Sequence, residues 1–212
     1  MAAITTILDT CKDLVKLESS VMEEFLLYNQ SFSTICSSYN MRHITLSLKH
    51  HHLSLQTVCS LFPSLEELKI LSVNHKQLQS FNCLTQLDSL RYLVVGSVSL
   101  DYLKTTLGYI GYNLVSFCLA SPGGLIDLSV IQNCCTHLKI LSLTGQRIIT
   151  KEEFIFKNGQ IFPCLRDLHI NTFYPLPSSM VRIILSHSPS LAKVDLSHCQ
   201  AEILSDISSC QY

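Results

Sequence analysis

Charge is scarce in this chain. Of its 212 residues only 15% are charged, and Lys+Arg 15 against Asp+Glu 16 leave a formal net charge of -1. A protein that grips nucleic acid through phosphate contacts carries a basic face, so this balance excludes that class of partner. Long apolar runs are missing as well. Nowhere do about 18 apolar residues follow one another, so no segment reads as a membrane span, although mean hydropathy is +0.30. The amino terminus, Met1 to Asp9, lacks the basic region of a secretory signal. There are ten cysteines but no C-x-x-C among them; they read as reduced, mostly buried thiols of a cytoplasmic or nuclear protein. No glycine-rich phosphate loop and no cofactor motif is present, and Gly123-Gly124 reads as a turn. Without a linker or low-complexity stretch, residues 1–212 read as a single domain.

What the chain does have is leucine at fixed spacing. The pattern L-x-x-L-x-L is clearest at Leu138, Leu141 and Leu143. It recurs as Leu65/Leu68/Ile70, Leu90/Leu93/Val95, Leu114/Phe117/Leu119, Leu165/Leu168/Ile170 and Leu191/Val194/Leu196, with weaker copies at Leu14/Leu17 and Met41/Ile44/Leu46. Successive copies are 27, 24, 25, 24, 24, 27 and 26 residues apart. A period in that range predicts a solenoid of stacked units, each a short strand, a turn and a return helix.

The apolar stripes predict helices over 1–13, 21–37, 55–62, 100–112, 125–136, 151–161 and 178–187. Residues Ser121 to Gly124 read as a turn from strand to helix, and Thr150 to Glu153 have capping-box spacing. Pro63, Pro163 and Pro189 each lie two residues before a repeat leucine. Proline cannot continue a helix and biases its predecessor to extended backbone, so it suits the step from helix into strand. Cysteine three residues before the repeat leucine, at Cys11 and Cys135, predicts a small apolar side chain where repeats stack. Neither end carries an evident polar cap, so the chain reads as part of a longer solenoid.

Repeats of this length and pattern, with cysteine beside them, resemble the cysteine-containing subclass of leucine-rich repeats over nearly the whole chain. That subclass is best known from F-box/leucine-rich-repeat proteins, the substrate receptors of cullin-type ubiquitin ligases. The resemblance implies a right-handed α/β solenoid of about eight repeats, with parallel strands on the concave face and helices on the convex face. It further implies a substrate-recognition arm that reaches ligase subunits through an N-terminal F-box, which does not precede the repeats here. The family's usual Asn or Cys after the strand is mostly replaced, as by Val73, Ser97 and Gln146, and only Asn171 and Cys199 approach it. A free-standing adaptor or inhibitor with the same scaffold is the alternative.

If the patterned leucines point inward, alternate residues on the same strands line the opposite face. Lys69, Tyr92, Val94, Cys118, Ile140, Ser142, His169 and Asp195 are the candidate partner-binding residues there. Their middle members are small or apolar and their outer ones charged, which fits a protein partner better than solvent; a floor covered by a further loop or tail is the plainer reading. Cys118, Ser142, His169 and Asp195 also hold a nucleophile, a base and a carboxylate in one line. Strands about 4.8 Å apart keep such groups out of hydrogen-bond reach, and no oxyanion hole is evident, so no enzyme is expected. Arg147 is the one candidate for a leucine-rich GTPase activator's exposed loop arginine. His50, His51 and His52 cannot all converge on one ion, so they read as a solvated loop and no metal is expected. In Cys134-Cys135 one thiol is expected in the core and the other at the helix wall.

Overall fold

The repeat leucines close turns as well as fill the core. The computed structural model of the protein describes residues 16–17, 39–48, 54–73, 75–149 and 160–197. Within them the amides of Leu65, Leu90, Leu114, Leu138, Leu165 and Leu191 donate to carbonyls three residues earlier, at 3.1 to 3.4 Å. Pro63, Pro163 and Pro189 occupy the second position of such turns, where their fixed φ is already suitable. The third residue back is buried each time, but it is Phe62, Leu87, Gly111, Cys135, Phe162 or Ser188. The expectation of a small side chain at that position is therefore corrected. What the site requires is burial, and the space between layers accommodates a phenylalanine.

Out of each turn runs a strand. These are β1 (Lys16–Leu17), β2 (His43–Leu48), β3 (Glu67–Val73), β4 (Tyr92–Gly96), β5 (Ser116–Asp127), β6 (Ile140–Ile149), β7 (Asp167–Thr172) and β8 (Lys193–Ser197). All neighbours pair in parallel and in chain order, giving one sheet in which seven strands have five or more residues and β1 has two. Parallel neighbours need a crossover between them. The described connections are α1 (Leu55–Leu61), a 3-10 helix (His75–Gln86), α2 (Leu100–Ile110) with a short 3-10 helix (Gly111–Asn113), α3 (Leu128–Cys134) and α4 (Ser178–Ser186). The fold is thus α/β with a parallel sheet, and its register advances with the leucine spacing: His43 pairs with Glu67, Glu67 with Tyr92 and Tyr92 with Ser116.

One cluster of buried side chains lies between the sheet and these connections. Leu68, Leu93, Phe117, Leu141 and Leu168 run across five strands at 0–2% exposure. The helices contribute at helical spacing, as with Leu103, Leu107 and Ile110 of α2. Ser99 caps α2 by accepting from the Asp101 amide, which satisfies one of the free amides at the helix start. Thr106 of α2 is wholly buried and its hydroxyl has no partner. Thr106→Val keeps the shape and removes that uncompensated group, so the unfolding free energy should rise by about 1 kcal/mol in urea titration. Among the described residues no helix is long and apolar enough to cross a membrane.

Several expected elements differ. Residues 125–127 are strand, paired with Arg147 to Ile149, so the helix expected over 125–136 begins only at Leu128. Ser121 to Gly124 is an irregularity inside β5, where the register shifts, and not the expected turn from strand to helix. The reason is non-local: the far end of β6 supplies a partner for the extended backbone. The 3-10 helix at His75–Gln86 had no counterpart in the expected helices. Of the segment 151–161 only Gln160 and Ile161 are described, and neither is helical. The expected helices over 1–13 and 21–37, the capping box at Thr150 and Cys199 lie outside the described residues.

Candidate protein-binding face

The pleat sends alternate residues of each strand away from the core, and the parallel register aligns them from strand to strand. Thr45, Lys69, Val94, Cys118, Ser142, His169 and Asp195 are register partners in one continuous row. A second row holds His43, Glu67, Tyr92, Ser116, Ile140, Asp167 and Lys193. All eight candidate residues therefore lie on this outward face, six in the first row and Tyr92 and Ile140 in the second. Those on β3 to β7 are half-buried apart from Tyr92, which is exposed at 39%, and Asp195 on β8 is exposed.

Both ends of the face carry ionic groups. His43 Nδ1 lies 2.8 Å from one Glu67 oxygen, and Lys69 Nζ lies 2.6 Å from the other. Beside them Arg42 meets Glu66 at 3.1 Å. At the far end His169 Nδ1 stands 3.6 Å from Asp195. The hydrogen bond from Lys69 holds the Glu67 carboxyl below its ordinary value of 4.5, His43 adds to this, and partial burial opposes it. A carboxylate with a depressed folded pKa stabilises the fold above its unfolded value and loses that contribution as pH falls through the folded one. Stability should therefore drop below about pH 4.5 in acid titrations, and Glu67→Gln should make that drop shallower. The change will be small because the Lys69 side chain keeps 44% of its surface in solvent, which screens the pair.

Between these ends Tyr92, Val94, Cys118, Ala120 and Ile140 make an apolar centre. A bulge that the leucine pattern did not show shapes its upper border. The β2–β3 register shifts between Leu46 and Leu48, so that Leu48 pairs with Val73. Ser47 and Ser72 then meet hydroxyl to hydroxyl at 2.7 Å, while Leu71, outward by the ordinary alternation of β3, is 55% exposed. The carbonyl of Leu71 presses on Gly96, where any Cβ would overlap it, so glycine is what the close approach allows.

Cys118, Ser142, His169 and Asp195 do form one row, within which His169 Nδ1 and Asp195 are paired at 3.6 Å. No hydrogen bond joins Ser142 to His169 among the described residues, and the row lies on an open sheet face. Arg147 is exposed but sits in the β6 ladder opposite Leu125 and not in a loop, which corrects its expected setting. Of Cys134 and Cys135, the second is 1% exposed and the first half-buried, as expected. Burial pushes both thiols up. His50, His51 and His52 lie outside the described residues.

Sequence reasoning missed a cleft of about 530 Å³ between the carboxyl ends of β3 and β4 and the irregular middle of β5. Val73, Leu78, Val98 and Leu125 give it apolar walls, with Ser99 and Asp101 at the start of α2 as polar groups. Its lining comes from the end of β3, two connections and the irregular middle of β5, and only the shared register brings them together. Comparison with protein-family models, curated proteins and solved structures gave no match to the chain.

Proposed function

We propose that the chain is a leucine-rich-repeat solenoid of about eight units, and that the outward face of its sheet is a concave wall that binds a protein partner. The observation that carries this reading is the run of half-exposed apolar residues across β4 to β6, held between the His43–Glu67–Lys69 cluster and the His169–Asp195 pair. An apolar centre with a polar border is the usual anatomy of a protein interface. Strands that pair in chain order at steps of 24 to 27 residues support the repeat assignment. With no hydrogen bond between Ser142 and His169 among the described residues, the row favours binding over catalysis.

By its resemblance to the cysteine-containing repeats, the wall serves as a substrate-recognition arm of F-box type in ubiquitin ligation, in the cytoplasm or nucleus. Affinity purification with quantitative mass spectrometry tests both parts. A protein recovered with the wild-type chain and lost with Val94→Glu supports the wall as the binding face. Ubiquitin-ligase subunits recovered with a longer product that carries an F-box, and not with this chain alone, support the ligase role. Equal recovery by wild type and variant would sink the proposed face.

A further inference from the structure

Cys59 near the end of α1 and Cys83 in the 3-10 helix after β3 occupy neighbouring connections, 24 residues apart. Both are buried, at 2% and 5% exposure. Their sulfurs are 3.3 Å apart, with the Cys59 thiol donating to Cys83. We propose that these two residues form a redox-active dithiol, which a hydroperoxide converts into an intramolecular disulfide.

A disulfide needs its sulfurs about 2.05 Å apart. From 3.3 Å each sulfur must move by well under an ångström, within reach of small side-chain rotations. The shared proton also divides the roles. Accepting the Cys59 S–H lowers the Cys83 thiol below its ordinary value, against the opposing effect of burial. Donating that hydrogen bond raises Cys59, and burial raises it further. Cys83 is thus the better thiolate, and the thiolate is the attacking species.

The chemistry closes without another reagent. The Cys83 sulfur attacks one peroxide oxygen, the O–O bond breaks, and the departing oxide takes a proton to leave as water or an alcohol. Cys83 is then a sulfenic acid. The Cys59 sulfur, giving up its proton, attacks the Cys83 sulfur and expels hydroxide, which leaves as a second water. Two thiols lose two protons and two electrons, and the peroxide gains them. Burial favours so small an oxidant, because a bulky disulfide reagent cannot approach Cys83 in the folded chain. The product ties α1 to the connection that follows β3.

Peptide mapping tests this on the intact folded chain. After hydrogen peroxide, remaining thiols are alkylated under denaturant and the protein is digested with trypsin. The expected result is peptide 50–69, which holds Cys59, joined to peptide 77–91, which holds Cys83. Its mass is the sum of the two less two hydrogens, it comes from monomeric protein, and dithiothreitol separates it. The thermal midpoint of the wild type should rise on oxidation, and that of Cys83→Ala should not. Recovery of both cysteines alkylated, at a peroxide level that oxidises the half-exposed Cys118, would overturn the proposal. So would a linked species confined to dimers. Because the mapping reads the wild-type protein, a poorly folding variant does not blunt it.

Discussion

A Leu141→Ala protein should lose about 2–5 kcal/mol of stability, seen as a lower urea midpoint with little change in slope. Leu141 is fully buried in β6, between Phe117 on β5 and Leu168 on β7, which are its register partners and are themselves buried. Truncation leaves a void that neither flank can fill, since each is already packed against its own neighbours. The cost therefore combines lost burial with a cavity. Val194 occupies the same row position on β8 but is 40% exposed, so Val194→Ala should change stability by only about 0.5 kcal/mol. Equal losses at the two positions would show that the row does not pack as described.

Changing Val94→Glu should leave stability within about 0.5 kcal/mol and weaken partner binding by about 2 kcal/mol or more, roughly thirtyfold. Val94 is half-buried at the centre of the outward face, with Lys69 and Cys118 as its register partners. The new carboxylate has Lys69 beside it, so the fold gains a favourable neighbour. A partner seated on the apolar centre must instead desolvate that charge without compensation. Titration calorimetry with the recovered partner, alongside urea unfolding of the variant, separates the two effects. Normal binding by a folded variant would move the interface elsewhere, with the cleft by Ser99 and Asp101 the next surface to probe. Thr106→Val and Glu67→Gln, whose effects are smaller, check the interior of α2 and the ionic end of the face.

Much of this architecture is legible in the leucine spacing because both signals involved are regular. A side-chain period of two assigns each strand residue to the core or to the outer face, and a step of 24 to 27 residues sets which strand residues become neighbours. From these two regularities the order of β1 to β8, the inward row through Leu68, Leu93, Phe117, Leu141 and Leu168, and the placement of all eight candidate residues on the other face can be read in advance. The weaker copy at the second strand follows suit: Met41, Ile44, Leu46 and Leu48 are all buried, and Ile44 pairs with Leu68.

The remainder depends on what each residue meets. Leu125 to Asp127 have an apolar pattern compatible with helix, and they become strand because Arg147 to Ile149 offer a hydrogen-bonding edge. The bulge that pairs Leu48 with Val73 and brings Ser72 to Ser47 arises between two strands, so neither strand's sequence displays it. The closeness of Cys59 and Cys83 likewise needed the packing of two connections whose conformations, α-helical and 3-10, differ. The sequence alone settled which residues face inward and which strands adjoin, because pleat and period are local and repetitive. Bulges, strand extensions and sulfur contacts were decided by the tertiary structure, because each one is a contact between segments that only folding brings together.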